Sequence, residues 1–343
     1  YGIELGSSIV FSDSIPILAL IFKFFSFFLP ENFQYISIWY FICFYFQLYF
    51  SYKILEKFTK SNLYSFVGSI FFLITPILIW KLQIVPALTG QWILLFALYL
   101  GLTRKVEEAK FSWLFIITLS SLINFYFLVM ILGSYSILRL INFNLKKKYF
   151  LQLFKDFIIF FPALIFTMYI VGYFEIRLVD TLSLGFGRDK LNLLGIFDST
   201  NNVDHISFSW ILPDIKTSHG EETEGFNFFG LGQIIIVLLA FLIFLRKKYG
   251  KNLALIKSNK EIKAFFIISI FFTLWALSTK ISIGSHTILE LPLNKYIYGI
   301  LSTVRPTGRL FWIVNYFLLI WSLIIIFKCF DKKNLLLLLV FYY

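Results

Sequence analysis

The sequence predicts an all-α fold, a polytopic transmembrane bundle with external loops. Of its 343 residues, 59% are hydrophobic and only 15% are charged, whereas a soluble domain carries about a quarter charged residues. Continuous apolar runs such as Ile234–Leu245 lack the alternation of a transmembrane β-barrel. We therefore expect a single transmembrane domain over residues 1–343, with external loops at 175–227 and 279–308.

Apolar segments follow one another along the chain, separated by spacers that differ in charge. The segments lie at 14–29, 34–52, 64–80, 91–102, 112–138, 157–174, 228–245, 264–278, 309–328 and from 334 onward. Basic spacers hold 21 of the 31 Lys and Arg residues, at 53–60, 104–110, 139–156, 246–263 and 328–333. Because cytoplasmic loops are enriched in Lys and Arg, we expect these spacers on the cytoplasmic side.

Two apolar segments depart from a simple alternation of sides. Residues 14–29 contain Lys23 and are short for a span, which needs about 20 residues, so we expect an amphipathic helix at the outer interface. Residues 112–138 have basic spacers at both ends, which favours a hairpin of two short helices turning near Asn124. The alternative is one tilted span with inverted topology downstream.

The chain begins without Met and stops inside an apolar run. We expect a piece of a longer protein whose first span lies upstream. The net charge of +12 is spread over short spacers between apolar segments, which fits membrane topology and argues against a nucleic-acid partner.

Arg305 and Arg309 are the sharpest candidates for a binding site. They stand at the start of an apolar segment on the external side, against the positive-inside bias. Guanidinium groups bind phosphate through paired donors and keep their charge in a low-dielectric site. The functional interpretation is a clamp for a lipid-linked phosphate, and the alternative is interfacial snorkelling toward lipid headgroups.

Asp13 lies just before the expected interfacial helix, with Glu4 upstream. A carboxylate there has the chemistry of a general base. Alternatively, Asp13 or Ser14 caps the helix that starts at Ile15 and Pro16.

Other polar residues of the external segments are weaker candidates. Asp214, His219 and Glu221 provide oxygen and imidazole ligands that suit a divalent cation, although their spacing matches no metal motif and a solvated acidic loop is the alternative. We assign contacts to a sugar substrate to six further residues: Glu4, Lys81, Gln91, Asn124, Glu224 and His286. The alternative for these residues is a local structural role.

The order of elements resembles the GT-C superfamily of membrane glycosyltransferases. Residues Ser12–Phe25 are similar to its juxtamembrane region, and Tyr52–Pro76 to its basic turn and Pro-ended third span. The whole chain is also similar to a bacterial multi-pass family of unknown function. That likeness rests on motifs close to Gly6–Ser14, Glu224–Gly232 and Arg305–Trp312.

The GT-C resemblance implies an inverting transferase that takes a sugar from a polyprenyl-phosphate donor and passes it to a glycan or lipid acceptor. It implies Asp13 as the catalytic base, or an acid upstream of residue 1, and Arg305 and Arg309 on the phosphate. No cofactor is certain, and a divalent cation is an open option. The expected location is the bacterial inner (plasma) membrane, with the active side periplasmic or extracellular. The alternative function is a transporter or flippase of lipid-linked glycans.

Overall fold

A computed structural model describes residues 8–141, 147–175, 185–201, 206–217, 221, 223–246 and 250–330. Its four short strands are β1 (Thr200–Asn201), β2 (Ile206–Ser207), β3 (Lys280–Ile283) and β4 (His286–Glu290). Its α-helices are α1 (Pro16–Phe24), α2 (Ile36–Thr59), α3 (Asn62–Ile70), α4 (Pro76–Ile84), α5 (Trp92–Thr103), α6 (Lys110–Ser121), α7 (Phe125–Ile141), α8 (Lys147–Ile170), α9 (Leu231–Leu245), α10 (Gly250–Ser258), α11 (Lys260–Ala276), α12 (Lys295–Leu301) and α13 (Trp312–Cys329).

The protein is mostly helical, as the sequence predicts. Two segments of the described chain are long and apolar enough to cross a membrane, Pro86–Thr103 and Thr307–Cys329. In an 18-residue window of each, 78% and 89% of the residues are buried inside the protein. A core helix shares this length and composition, so the multi-pass topology stays a prediction.

Internal contacts divide the chain into two compact units. Unit 1 comprises residues 1–50 and 80–179, and unit 2 comprises residues 51–79 and 180–343. Helices α2 and α4 each continue from one unit into the other along the chain.

In unit 1, the expected helical hairpin is confirmed. Helix α6 ends at Ser121 and α7 begins at Phe125, and the two helices pack against each other. Asn124 stands in the turn, where its Oδ1 accepts a hydrogen bond from the N–H of Tyr126 at 3.0 Å. This bond satisfies one of the donors that the first turn of α7 leaves unpaired.

Helix α1 follows the sequence expectation in place but is shorter than residues 14–29. The aromatic side chains at and after its end face outward, with Phe24 83%, Phe27 91% and Phe28 82% exposed. The interpretation of Asp13 or Ser14 as the helix cap is wrong. The N-cap is Ile15, in a left-handed conformation (φ 49°), and no side chain accepts a cap hydrogen bond there.

In unit 2, α13 forms the centre. Helices α9, α10 and α11 pack against it, and a 3₁₀ turn, Thr307–Phe311, leads into it against the side of α11. Nearly all of α13 is buried, which fits its continuous apolar composition. Strands β3 and β4 form an antiparallel hairpin after the end of α11.

Candidate functional site

The site lies in unit 2, where the segment beginning at residue 185 runs beside the end of α11 and the β3–β4 hairpin. The N–H of Leu191 donates to the last carbonyl of α11, Ala276, at 2.9 Å. Asn192 pairs with the hairpin turn, because its Oδ1 accepts from the N–H of Gly284 (3.0 Å) and its Nδ2 donates to the carbonyl of Gly284 (2.8 Å). These bonds fix the segment against two elements at once.

A buried ion pair forms the floor of the site. Nζ of Lys190 donates to Oε1 of Glu221 and, at 2.6 Å, to the hydroxyl of Ser282. The second carboxylate oxygen of Glu221 accepts from Nδ2 of Asn192 at 3.1 Å. The side chains of Lys190 and Glu221 are only 4% and 2% exposed, so each charge depends on its partner for compensation.

Two glycines bring the Glu224–Gly232 and Arg305–Trp312 segments into contact. A Cβ on Gly308 would lie 2.6 Å from Cα of Gly225, and a Cβ on Gly225 would clash with the carbonyl oxygen of Lys190. The buried amide of Asn227 bridges the glycines, donating to the carbonyls of Gly225 (2.8 Å) and Gly308 (3.0 Å). Only glycine fits at such close backbone approaches.

The two sequence motifs are also joined through side chains. Arg309 donates from Nε (2.8 Å) and Nη2 (2.6 Å) to Oε2 of Glu224. Thr307, two residues earlier, donates its hydroxyl to the carbonyl of Ala276 at 3.2 Å. Glu224, predicted as a sugar contact, and Arg309, predicted as a phosphate ligand, are therefore partners of each other.

Arg305, in contrast, is exposed. Within the described part of the chain, no carboxylate forms an ion pair with its guanidinium. Its Cβ lies 3.4 Å from the position that a Cβ on Gly185 would occupy, so Arg305 stands beside the segment that carries Arg188. The hydrogen bond and charge of Asp189 raise the pKa of Arg188 above its ordinary value, so Arg188 stays charged.

A cavity of ≈ 320 Å³ opens between this segment and the β3–β4 hairpin. Its walls combine hydroxyl groups, charged groups and one aromatic ring, supplied by Phe186, Gly187, Arg188, Lys190, Glu221, Lys280, Ser282, Gly284, Ser285 and Thr287. The motif glycines support this cavity from behind, since the N–H of Gly308 donates to the carbonyl of Asp189 at 3.2 Å. The cavity and the Arg305–Arg309 segment are thus adjacent parts of one site.

The candidates of unit 1 lie in different environments. Asp13 is exposed, and Asn124 occupies the hairpin turn. Lys81 and Gln91 are fully buried, and Nζ of Lys81 lies 3.7 Å from the ring centroid of Trp80. The assignment of Lys81, Gln91 and Asn124 to sugar contacts stays a prediction, as does the role of Asp13 as base.

The proposed metal ligands do not form a cluster within the described residues. There, no group of three or more His, Cys, Asp or Glu side chains comes together. Glu221 is engaged with Lys190, whereas Asp214 is exposed. His286 is exposed at the start of β4. Glu4 and His219 lie outside the described residues.

Sequence reasoning missed three polar residues that build the site: Lys190, Asn192 and Asn227. Lys190 and Glu221 are 31 residues apart, and no local spacing marks them as partners. Their signal was the presence of polar side chains within apolar stretches, as in Lys190–Leu194 and Phe226–Phe229. Such side chains need partners when they are buried, but the pattern does not say which ones.

One comparison with known proteins gives a match. A family model described as Domain of unknown function (DUF6311) matches residues 1–343. No curated protein and no solved structure matches the chain. Because the model covers the full length, the chain belongs to the DUF6311 family.

Proposed function

We propose that this protein is a multi-pass membrane glycosyltransferase that uses a polyprenyl-phosphate-linked sugar on the non-cytoplasmic side. The observation that carries the proposal is the position of Arg305. Arg305 is exposed and stands seven residues before the first residue of α13. Helix α13 belongs to a segment that is apolar enough to cross a membrane. A lipid with an anionic headgroup fits this position, because its phosphate would meet the exposed cation where an apolar segment begins.

The basic spacers support the proposed orientation of the helices across the membrane. Arg104 and Lys105 precede α6, and Arg246 follows α9, at helix ends that the charge distribution assigns to the cytoplasm. The 185–192 segment belongs to the acid-rich spacer 175–227, and the β3–β4 hairpin belongs to the spacer 279–308. Both spacers are assigned to the outside. The bacterial plasma membrane is the location that this proposal implies.

In the proposed reaction, an acceptor hydroxyl oxygen forms a bond to the anomeric carbon of the donor. The bond from that carbon to the lipid phosphate breaks, and its electron pair goes to the phosphate oxygen. Arg305 stabilises the negative charge that develops there. The acceptor proton passes to a carboxylate base, the role that the GT-C resemblance gives to Asp13. Backside attack would invert the anomeric configuration.

The test is release of free polyprenyl phosphate by the full chain in proteoliposomes supplied with polyprenyl-phosphate sugars and cell-envelope glycan acceptors. Arg305→Ala is expected to lower the rate at least 100-fold, since oriented charge stabilisation is worth about 10²–10³ in rate. Arg246→Ala is the matched control, an exposed arginine at the other end of the neighbouring helix, and should retain activity. Equal activity of the Arg305 variant and wild type would refute the assignment. Binding of the donor without release would favour the lipid-linked glycan flippase instead.

A further inference from the structure

We infer that the cavity between the 185–192 segment and the β3–β4 hairpin binds an uncharged saccharide ring. The identification of the ligand as a saccharide rests on the proposed function. That the ligand carries no charge is inferred from the structure. It divides the substrate between two places in unit 2. The anionic group belongs to Arg305, and a neutral sugar ring belongs to the cavity.

The first argument is charge balance. Each cation at the cavity wall already has a carboxylate partner: Arg188 with Asp189 at 2.8 Å, Lys280 with Glu290 at 2.6 Å, and Lys190 with Glu221. A negatively charged ligand would therefore compete with a carboxylate for every cation it met. A neutral polyol meets no such competition, and it avoids adding an uncompensated charge to the partly buried site.

The second argument is the chemistry of the remaining wall. Ser282, Ser285 and Thr287 present hydroxyl groups, which act as donors and as acceptors, as sugar hydroxyls do. The hydroxyl of Ser282 accepts from Lys190 at 2.6 Å, so its own hydrogen is available to a ligand. Phe186 adds an aromatic ring, whose face suits the apolar C–H side of a pyranose.

The third argument is size and position. Ligand cavities range from about 300 to 1,000 Å³, and this one, at ≈ 320 Å³, has room for a small ligand such as one or two sugar rings. Gly187 and Gly284 lie in its wall and leave space that side chains would fill. Gly185, next to Phe186 in the chain, lies beside Arg305, because a Cβ added at Gly185 would be 3.4 Å from the Cβ of Arg305. A sugar in the cavity would thus sit beside the proposed phosphate ligand.

The test measures binding directly, without donor lipid, on the full chain in detergent micelles. The probes are the methyl pyranosides of glucose, galactose and mannose and the corresponding methyl uronosides, each at millimolar concentration, followed by saturation-transfer NMR and titration calorimetry. At least one neutral pyranoside should bind roughly tenfold or more tightly than its uronoside. Thr287→Val should weaken that binding several-fold, because it keeps the side-chain shape and removes the hydroxyl.

Thr303→Val is the matched control, an exposed threonine of unit 2 outside the cavity wall, and should bind like wild type. The inference is overturned if the uronosides bind equally well or better, if no neutral pyranoside binds, or if Thr287→Val leaves binding unchanged. Failure of the proposed function is read separately, from polyprenyl phosphate release. Binding of a neutral pyranoside without any sugar transfer would refute only the proposed transferase function. Sugar transfer without such binding would refute only the inference about the cavity.

Discussion

Arg309 directs two donors, Nε and Nη2, to the single oxygen Oε2 of Glu224, at 2.8 and 2.6 Å. The residues are 85 positions apart, and each belongs to one of the two motifs that converge in unit 2. Their side chains are 11% and 26% exposed, so the pair is shielded from solvent more than a surface ion pair. A planar guanidinium held in this way keeps a fixed orientation at the start of α13.

Replacing Arg309 with Ala is therefore expected to abolish sugar transfer and to lower the free energy of unfolding. The same replacement in a Glu224→Gln background should cost less, since the ionic partner is already gone. We expect a coupling free energy of roughly 0.5–3 kcal/mol, measured by a double-mutant cycle of denaturant unfolding in detergent. Additive effects of the two replacements would show that the contact contributes nothing.

Gly308 and Gly225 should tolerate no side chain. Gly308→Ala would place a Cβ 2.6 Å from Cα of Gly225 and 3.1 Å from the carbonyl carbon of Lys190. Because backbone must move to relieve these contacts, we expect a loss of about 1–3 kcal/mol in unfolding free energy. Gly299→Ala is the matched control in α12, where nothing lies within 4 Å of the new Cβ, and it should stabilise the helix slightly. Equal melting temperatures for the two variants would contradict the close approach.

The buried pair of Lys190 and Glu221 should be costly to break from one side. Lys190→Met leaves the carboxylate without its ammonium partner, and we expect a loss of about 3–5 kcal/mol. Adding Glu221→Gln should recover part of this loss, because it removes the unpaired charge. Lys280→Met, which breaks the exposed pair with Glu290, is the comparison and should cost at most about 1 kcal/mol. The three variants can be ranked by thermal unfolding, and a Lys190→Met variant as stable as Lys280→Met would contradict the burial.

The helical architecture of unit 1 could be predicted in part, because hydrophobic periodicity and charge are local properties of the chain. The hairpin at Asn124 follows from basic spacers on both sides of one long apolar segment. The residue that caps the start of α1, in contrast, could not be predicted. A side chain such as Asp13 or Ser14 is the usual cap, but Ile15 occupies the N-cap in a left-handed conformation, which only the surrounding packing can stabilise.

The candidate site shows what local sequence patterns cannot predict, namely which distant residues become partners. The motifs containing Glu224 and Arg309 are visible in the sequence, and the charge distribution predicts an external position for both. Their pairing was not visible, because it depends on how the chain between them folds back. Lys190 and Asn192 escaped notice for the same reason. Their partners, Glu221 and Gly284, are separated from them by other elements, so only the tertiary structure identifies the contacts.

The proposed orientation predicts opposite labelling of two positions. Trp210, 95% exposed, lies in a spacer assigned to the outside, and Lys105, whose side chain is 73% exposed, lies in one assigned to the cytoplasm. In a background without Cys43 and Cys329, a membrane-impermeant maleimide should label Trp210→Cys in intact cells. It should label Lys105→Cys only after lysis. Labelling of both positions in intact cells would contradict the proposed topology.

A last prediction concerns the open end of the α6–α7 hairpin, which Asp156 of α8 closes. The Asp156 carboxylate pairs with Nζ of Lys110 (2.5 Å) and with Nη2 of Arg139 (2.8 Å), and it accepts from the hydroxyl of Tyr135 (3.0 Å). Since Asp156 joins three helices at a site where Arg139 is also buried, Asp156→Ala should lower the unfolding free energy by about 3–5 kcal/mol.

The matched control for Asp156→Ala is Glu108→Ala, which removes a carboxylate that is 66% exposed and paired with an exposed Lys105. Pairs of that kind contribute about 0–1 kcal/mol. Denaturant titration of helicity in detergent separates the two cases. If Asp156→Ala and Glu108→Ala unfold at the same denaturant concentration, the charges at the end of the hairpin do not hold α8 against α6 and α7. Apolar packing between these helices would then be sufficient.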